Sequence, residues 1–279
     1  MRKKSRILLP FRYPGGKYYA IKILKPFWEA VEHDEYREPF LGGGAVFFAK
    51  PKVKHNWVND LHKELINCYK IMANPSLREK LIEKVKNEVA SKERHKEISN
   101  TLPKNNLERA FKYLYLNRTS FSGKMRTPSW GYRPKRSLPP NRWEERIKPC
   151  GEKLEGVKIT RIDFEKVINS PANGQKVLMF LDPPYYSARQ ENHYVCHFKK
   201  EDHVRLAKTL KKTKFKFFLT YDDCQDIRKL YSWAKIYEVS FFYRLDNSQN
   251  NNGQRKKGFE LVITNFDISK QKFISEFNK

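Results

Sequence analysis

A short buried strand that ends in two prolines constrains the fold of this chain more than any other feature of the sequence. Val177–Leu181 is an uninterrupted apolar run, typical of a strand buried on both faces of a sheet. Asp182-Pro183-Pro184-Tyr185 follows at once, and two prolines cannot continue the ladder of strand hydrogen bonds. The end of the strand therefore carries a carboxylate, a backbone carbonyl and an aromatic ring, at the edge where open α/β sheets bind ligands.

The charge of the chain indicates a polyanionic partner. Its 279 residues include 57 Lys and Arg against 31 Asp and Glu, a formal net charge of +26 at pH 7. Binding to phosphates releases counterions, so this excess favours association with nucleic acid. A solubilising surface or a ribosome-bound protein is the alternative. The length suits one large domain or a core domain with an insertion.

Cysteine usage and hydropathy argue against several classes of protein. Cys68, Cys150, Cys196 and Cys224 lie far apart, so neither zinc nor a disulfide framework is expected, and the histidines show no metal-ligand spacing. The basic start of the chain is not followed by an apolar segment of signal-peptide length, and no apolar stretch is long enough to span a membrane. We therefore expect a cytoplasmic protein with no metal and no membrane contact.

Alternating strand and helix patterns in the first and last parts of the chain predict a mostly parallel α/β sheet. The first part predicts a helix over 18–31, a strand, Gly-rich turn and helix over 36–49, a strand over 56–58 and a helix through 72. The last part predicts strands over 157–162, 177–181, 215–220, 234–242 and 259–265, and helices over 201–210 and 224–233. The last two strands, joined by the polar tract 247–253, should form an antiparallel pair at the end of the sheet.

The middle of the chain breaks this rhythm and predicts a largely helical insertion. Residues 76–99 are densely charged with apolar residues at helical spacing, and 106–116 form a second helix candidate. The following loop interleaves basic residues with Trp130, Tyr132 and Trp143, which suits contacts with phosphates and bases. We predict a catalytic domain of residues 1–73 and 155–279, and a nucleic-acid-binding insertion of residues 74–154.

Three motifs in the first part suit a nucleoside cofactor. Residues 38–46 place glycines between a strand and a helix, where backbone can approach a ligand closely, although a merely tight turn is equally consistent. Asp60, after the next strand, can accept hydrogen bonds from ribose hydroxyls or cap the helix that follows. Gly15, Gly16 and Lys17 can bring amides and a cation to a carboxylate, with a plain turn as the alternative.

Together these motifs resemble the DNA adenine N6-methyltransferases of the Dam type (D12 class, α group). The similarity extends from about Phe11 to Asn265. It rests on five elements in order: Tyr13-Pro14-Gly15-Gly16-Lys17, Glu38-Pro39-Phe40-Leu41-Gly42-Gly43-Gly44, Asn59-Asp60, Leu116-Asn117-Arg118 and Asp182-Pro183-Pro184-Tyr185. It implies a Rossmann-like S-adenosylmethionine-dependent methyltransferase sheet with an inserted target-recognition domain, and a site-specific adenine methyltransferase, EC 2.1.1.72.

The resemblance implies S-adenosylmethionine as methyl donor and S-adenosylhomocysteine as product. The Gly42 to Gly44 turn would hold the methionine end of the donor, and Asp60 its ribose. The residues expected to contact the cofactor are Tyr13, Gly15, Gly16, Lys17, Glu38, Phe40, Gly42, Gly44, Asp60 and Asp182.

The catalytic motif, Asp182 to Tyr185 with Pro183 and Pro184, suits methyl transfer to an exocyclic amine. The Asp182 carboxylate and the Pro183 carbonyl could accept hydrogen bonds from the two N–H groups of adenine N6. The nitrogen lone pair would then point at the sulfonium methyl. Tyr185 would stack on the base, which must flip out of the duplex to reach this pocket.

The resemblance also implies a DNA-recognition hairpin after Asn117-Arg118. The residues expected to contact DNA are Arg12, Asn117, Arg118, Ser122, Lys124, Met125, Arg126 and Arg133. Arg126 and Arg12 match guanine-contacting positions, and arginine suits guanine O6 and N7. Lys124 stands where some Dam enzymes carry an apolar wedge, so a GATC target is left open.

Alternative functions remain at this stage. An N4-cytosine methyltransferase usually carries Ser-Pro-Pro-Tyr, so Asp182 disfavours that target. RNA adenine methylation is another alternative, as is a non-catalytic DNA-binding protein on a decayed methyltransferase fold, which the intact motifs argue against. We expect a monomer on double-stranded DNA in a prokaryotic cell, encoded by the cell or by a phage. A restriction endonuclease acting separately is a candidate partner.

Overall fold

The computed structural model of the protein describes residues 7–13, 15–187, 198–242 and 257–268. The amino-terminal arm, Pro14, Cys196 and the polar tract 247–253 lie outside the described residues. The strands within the described parts are β1 Glu35–Glu38, β2 His55–Asn59, β3 Lys158–Thr160, β4 Val177–Leu181, β5 Lys216–Asp222, β6 Lys235–Phe242 and β7 Lys257–Thr264.

These strands form a single mixed sheet of order β3-β2-β1-β4-β5-β7-β6. The first five pair in parallel, whereas β7 is antiparallel to both β5 and β6. The predicted parallel sheet with an antiparallel pair at its end is therefore confirmed. Its strand order and crossovers fit a Rossmann-like methyltransferase fold.

The helices in the described parts of the chain are α1 Ile21–Glu29, α2 Ala45–Ala49, α3 Lys63–Ala73, α4 Pro75–Lys86, α5 Lys92–Asn100, α6 Asn106–Thr119, α7 Glu144–Leu154, α8 Phe164–Asn169, α9 Lys200–Lys212 and α10 Gln225–Leu230. The charged stretch 76–99 forms two of them, because Asn74 and Ser91 each cap one through a side-chain oxygen. The sequence patterns did not predict α7 or α8.

The position of the site follows from a change of direction between β1 and β4. From β1 the sheet extends through β2 to β3, and the chain then returns to β4 on the other side of β1. Arg37 of β1 lies opposite Met179 of β4. The segments that follow Glu38 and Leu181 therefore leave the same edge of the sheet side by side, where such a switch of direction opens a ligand crevice.

Residues 74–154 supply α4 to α7, and every strand of the described residues lies outside this segment. Its apolar residues share one core with α3: Tyr69 and Met72 of α3 pack with Leu81, Tyr113 and Ile147 of the insertion. Because the core is continuous, the division into two domains stays a prediction.

Buried Arg37, on β1, forms hydrogen bonds to the end of α8. Its guanidinium donates to Glu35 at 2.7 Å and to the carbonyls of Val167, Ser170 and Pro171 at 2.7–2.8 Å. Carbonyls at the end of a helix have no partner within the helix, so this one side chain satisfies several of them. One buried arginine thus connects the end of α8 to β1, in addition to the buried apolar side chains of that helix.

Candidate active site

Asp182 leaves β4 at the crevice and is held from two sides. The Lys17 ammonium lies 2.8 Å from Oδ1 and 3.0 Å from Oδ2, and the Thr220 hydroxyl donates to Oδ1 at 2.7 Å. Lys17 is only 3% exposed, so water does not weaken this ion pair much. The carboxylate is fixed by a cation and a hydroxyl at the point where β4 ends.

The rest of the catalytic motif is fixed by neighbouring groups. The Lys17 ammonium lies 4.7 Å from the centre of the Tyr185 ring. Burial, with Glu260 and Asp182 nearby, raises the pKa of Tyr185 well above its usual value. The amides of Tyr186 and Ser187 both donate to the Asp222 carboxylate at 2.9 Å. The loop that carries the motif is therefore anchored directly after Tyr185.

The glycine-rich turn follows β1 and faces Tyr13. Gly42 and Gly44 have φ of +48° and +69°, a conformation that favours glycine. A Cβ atom on Gly42 would lie 2.9 Å from the Tyr13 ring, so the close approach also requires glycine there. The backbone of this turn therefore lines the crevice directly.

Asp60 joins this turn to the start of α3. Its Oδ2 accepts a hydrogen bond from the Gly42 amide and its Oδ1 accepts one from the His62 amide, both at 2.8 Å. Burial raises the pKa of Asp60. Each carboxylate oxygen can accept a second hydrogen bond, so the residue can support the turn and still bind hydroxyl groups.

A cleft brings together all the residues predicted to contact the cofactor. Tyr13, Gly15, Gly16, Lys17, Glu38, Phe40, Gly42, Gly44, Asp60 and Asp182 all line it. Pro184 of the catalytic motif lies on the same wall. The cofactor residues and the catalytic carboxylate therefore share one cavity.

One end of the cleft is an aromatic box that the sequence patterns did not reveal. Phe40, Phe164 and Phe198 lie 5.5–5.7 Å apart, centre to centre, and all three line the cleft. Phe164 begins α8, after the short connection that follows strand β3. Its position just beyond the carboxyl end of a parallel strand is the sequence feature that could have indicated a ligand-binding role.

Glu38 is a buried acid with a strongly shifted pKa. Burial raises this pKa to about 8, and the negative charge of Asp182 adds to the shift. The Tyr36 hydroxyl donates to Glu38 Oε2 at 2.6 Å. Burial therefore favours the protonated form of Glu38, which can donate a hydrogen bond as well as accept one.

A hairpin follows α6, where the family resemblance placed it. The Phe121 amide donates to the Ser129 carbonyl at 2.8 Å, and the Gly131 amide donates to the Thr119 carbonyl at 2.9 Å. Phe121, at the start of the segment that connects the two sides of the hairpin, is 51% exposed. Arg126, further along the same segment, is also exposed. Ser122, Lys124 and Met125 are half-buried, and Arg133 is exposed.

Asn117 and Arg118, by contrast, are buried. The Asn117 amide exchanges two hydrogen bonds of 2.8 Å with the backbone of Arg12 and donates a third, of 3.1 Å, to the Gly123 carbonyl. Arg118 is 5% exposed. The structure thus places both side chains behind the hairpin, where Asn117 fixes the position of Arg12 relative to it.

The hairpin belongs to a long stretch without acidic residues. Between Glu108 and Glu144 there is no Asp or Glu, whereas nine residues are Lys or Arg. Earlier in the insertion the charges are neutralised, as where Arg94 pairs with Glu88 and Glu97 at 2.6 and 2.7 Å. Arg109 and Arg142, near the two ends of this stretch, pair with Glu64 and Glu145. The basic residues between them concentrate positive charge around the hairpin.

Two negative findings concern the described residues alone. Among them, no group of His, Cys, Asp or Glu side chains is arranged to hold a metal ion. No helix in this part of the chain is both long and apolar enough to cross a membrane.

The fold and the site are those of a methyltransferase that acts on an exocyclic amine. The sheet is Rossmann-like, a glycine-rich turn follows β1 and an Asp-Pro-Pro-Tyr motif follows β4. The chain belongs to the D12 class N6 adenine-specific DNA methyltransferases, whose family profile matches residues 13–245. As a member it methylates N6 of adenine in double-stranded DNA, with S-adenosylmethionine as the donor that its family uses. Membership favours this activity over the cytosine and RNA alternatives.

Several known methyltransferases are similar over most of the chain. The type II methyltransferase M.CviBI of Paramecium bursaria Chlorella virus NC1A is 29% identical over 266 residues, covering 91% of this chain and 98% of that protein. The type II methyltransferase M1.LlaDCHI of Lactococcus lactis subsp. cremoris is 28% identical, covering 95% and 98%. The DNA N-6-adenine-methyltransferase of Escherichia phage P1 is 27% identical, covering 79% of this chain and 30% of that protein.

Proposed function

We propose that this protein is a site-specific adenine methyltransferase, EC 2.1.1.72, that transfers a methyl group to a flipped adenine held beside Asp182. The observation that carries the proposal is the fixed Asp182 carboxylate in the same cleft as the predicted cofactor residues. A carboxylate and a proline carbonyl at the end of one strand match the two N–H groups of an exocyclic amine.

The cleft suits S-adenosylmethionine. Asp60 would accept hydrogen bonds from the ribose hydroxyls, and the aromatic box of Phe40, Phe164 and Phe198 would enclose the adenine ring of the cofactor. The Gly42 to Gly44 turn, which lines the cleft, would hold the methionine end. The cofactor supplies an electrophilic methyl group when bound. Lys17 lines this cleft too, but its contact with Asp182 supports a role in fixing that carboxylate.

Catalysis by this site would rest on orientation. Lys17 donates to Oδ2 and Thr220 donates to Oδ1 of Asp182, so the carboxylate can still accept a hydrogen bond from an amine. With the Pro183 carbonyl as second acceptor, the N6 lone pair is turned toward the methyl group. The negative charge of Asp182 complements the positive charge that develops on N6. Tyr185 would stack on the flipped base.

DNA recognition would be divided between surface and buried residues. The residues that would contact DNA directly are exposed or half-buried: Ser122, Lys124, Met125, Arg126 and Arg133. Arg126 is exposed whereas Arg12 is half-buried, so Arg126 is the better candidate for reading a guanine. Asn117 would act through the segment and hairpin that it holds, and buried Arg118 would add positive charge behind them. Phe121, the exposed aromatic ring of the hairpin, could stack where the target base leaves the duplex.

The biological setting is proposed from relatives and from charge. Two relatives carry the name type II methyltransferase, which supports a restriction endonuclease that acts separately on the same sequence. We propose that the protein acts as a monomer on DNA in the cytoplasm of a prokaryotic cell, with a phage origin as the other option. A GATC target remains one candidate sequence.

The decisive experiment identifies the modified base and its context together. Plasmid DNA is incubated with the protein and tritiated S-adenosylmethionine, and then sequenced by a method that detects modified bases. We expect N6-methyladenine within one short sequence. Transfer to cytosine N4, or no transfer to DNA, would contradict the proposal, and modification of GATC alone would settle the Dam-like specificity.

A further inference from the structure

Three arginines from separate parts of the chain meet behind the recognition hairpin. Arg12 precedes the first glycine motif, Arg118 lies near the end of α6 and Arg146 lies on α7. We name this group the arginine triad. Arg146 donates to the Leu9 carbonyl at 3.2 Å, and Arg118 approaches the Pro10 carbonyl at 3.5 Å. All three therefore border one stretch of backbone, residues 9–12.

The triad lacks acidic partners within the described residues. None of the ion pairs found there includes Arg12, Arg118 or Arg146, and the Nε groups of Arg118 and Arg146 are buried without hydrogen-bond partners. Arg118 is 5% exposed and lies over the ring of Trp143. A buried charge without a counterion destabilises a fold, because its lost hydration is not replaced.

The guanidinium groups also repel one another. Burial first, and then Arg146 and Arg12, lower the pKa of Arg118 to about 9. Burial and Arg146 lower the pKa of Arg12. A bound anion would neutralise these three cations, which repel one another. Each guanidinium can donate two parallel hydrogen bonds to an oxyanion.

The location of the triad identifies the anion. Asn117 bonds to the backbone of Arg12 and to the Gly123 carbonyl, so the triad lies directly against the hairpin. A Cβ atom on Gly123 would lie 2.3 Å from the Arg12 carbonyl oxygen, which shows how closely the two segments pack. The surrounding stretch has no acidic residue from 109 to 143. A polyanion that reaches the hairpin can contact the half-buried Arg12 and Arg146, and the buried charge of Arg118 lies behind them.

We propose that the arginine triad binds one phosphodiester of the DNA backbone beside the target sequence. This inference rests on the proposed function and adds Arg146, with Ser137 as support for Arg12, to the DNA-binding residues. The contact would set the register of the hairpin on the duplex and carry no base specificity of its own.

A purely structural role for the triad makes a different prediction. If the arginines only hold residues 9–12 against the insertion, their hydrogen bonds contribute to the fold and their charges do not contribute to DNA binding. DNA binding by variants would then keep the salt dependence of the wild type. If the triad holds a phosphate, each lost charge should lower the slope of log K against log salt by about 0.9.

The test measures DNA affinity at several salt concentrations. The variants are Arg146→Gln and Arg118→Met; methionine keeps an unbranched side chain against Trp143. Arg94→Gln is the control, because Glu88 and Glu97 already neutralise that arginine. The probe is a short duplex taken from plasmid DNA that the wild type methylates, titrated by fluorescence anisotropy between about 50 and about 200 mM salt.

We expect each triad variant to bind about tenfold more weakly and to lose about one unit of salt slope, while Arg94→Gln matches the wild type. A wild-type slope in both triad variants overturns the proposal, whatever their affinities. Methylation by the wild type is measured in parallel. Failure of the proposed function therefore appears as absent methylation, whereas failure of the triad appears as an unchanged slope.

Discussion

The ammonium group of Lys17 lies 2.8 Å from Oδ1 and 3.0 Å from Oδ2 of Asp182, a residue 165 positions further along the chain. Thr220, on the strand next to β4, adds a hydrogen bond of 2.7 Å. The carboxylate is thus held as a fixed hydrogen-bond acceptor, which suits orientation of an amine better than removal of a proton. Activity should depend on the carboxylate and on each of its supports.

Asp182→Ala should abolish methyl transfer while sparing DNA binding. Removal of a preorganised electrostatic group lowers turnover by at least about 10²–10³-fold. The measurements are kcat with tritiated S-adenosylmethionine and Kd for duplex DNA. Asp267→Ala is the control, because Asp267 is an exposed carboxylate that pairs with exposed Lys235. Near-normal turnover in the Asp182 variant would falsify the catalytic assignment.

Thr220→Val should lower kcat about tenfold with little change in KM for the cofactor. The substitution conserves shape and removes one hydrogen bond to a charged group, worth about 1.5–3 kcal/mol. Thr209→Val is the matched control, because that hydroxyl donates at 2.7 Å to Glu165, outside the cleft. A wild-type kcat would show that Lys17 alone suffices to hold Asp182.

Glu38 should make stability depend on pH. Burial raises the pKa of Glu38 from 4.5 to about 8, so the folded protein keeps a proton that the unfolded chain has lost over this interval. Its contribution to stability is fully present below pH 4.5 and is lost as pH rises through about 8. Thermal unfolding of Glu38→Gln and wild type across this range should show the variant gaining relative stability with pH. A constant difference in Tm would argue against a protonated Glu38.

Sequence patterns located the sheet and most of the cleft because these depend on local signals. The limits of β4 were predicted to the residue, since an apolar run ended by two prolines has no other interpretation. Helix α7 was missed because Pro149 and Gly151 lie within it. That glycine is required, since a Cβ atom there would lie 2.4 Å from the Met72 carbonyl oxygen, a packing constraint the sequence does not display.

Contacts between distant segments could not be read from the sequence. Nothing near Lys17 indicates that its partner is Asp182, and nothing near Phe164 indicates that it joins Phe40 in the cleft. Asn117 and Arg118 were expected to contact DNA because their motif resembles that of the family. Their burial results from packing against residues 9–12, which only the folded chain reveals.

Arg37→Met should destabilise the protein by about 3–5 kcal/mol, since it leaves buried Glu35 without its cation and the carbonyls of Val167 and Ser170 without the guanidinium donor. Urea unfolding measures this loss. Arg228→Met is the control, because that arginine pairs with Asp223 and Glu238 at the surface and its loss should change little. Equal stability of the two variants would contradict the fastening role of Arg37.

Phe164→Ala should weaken the binding of S-adenosylmethionine, whereas Phe121→Ala should weaken the binding of DNA. Loss of Phe164 opens the aromatic box, so the Kd for S-adenosylmethionine should rise about tenfold while DNA affinity is kept. Loss of Phe121 removes the exposed ring of the hairpin, so DNA affinity and kcat should fall while cofactor affinity is kept. Isothermal titration with the cofactor and anisotropy with duplex DNA separate the two effects. If either substitution weakens both ligands equally, the cleft and the hairpin are not the independent binding sites that their positions indicate.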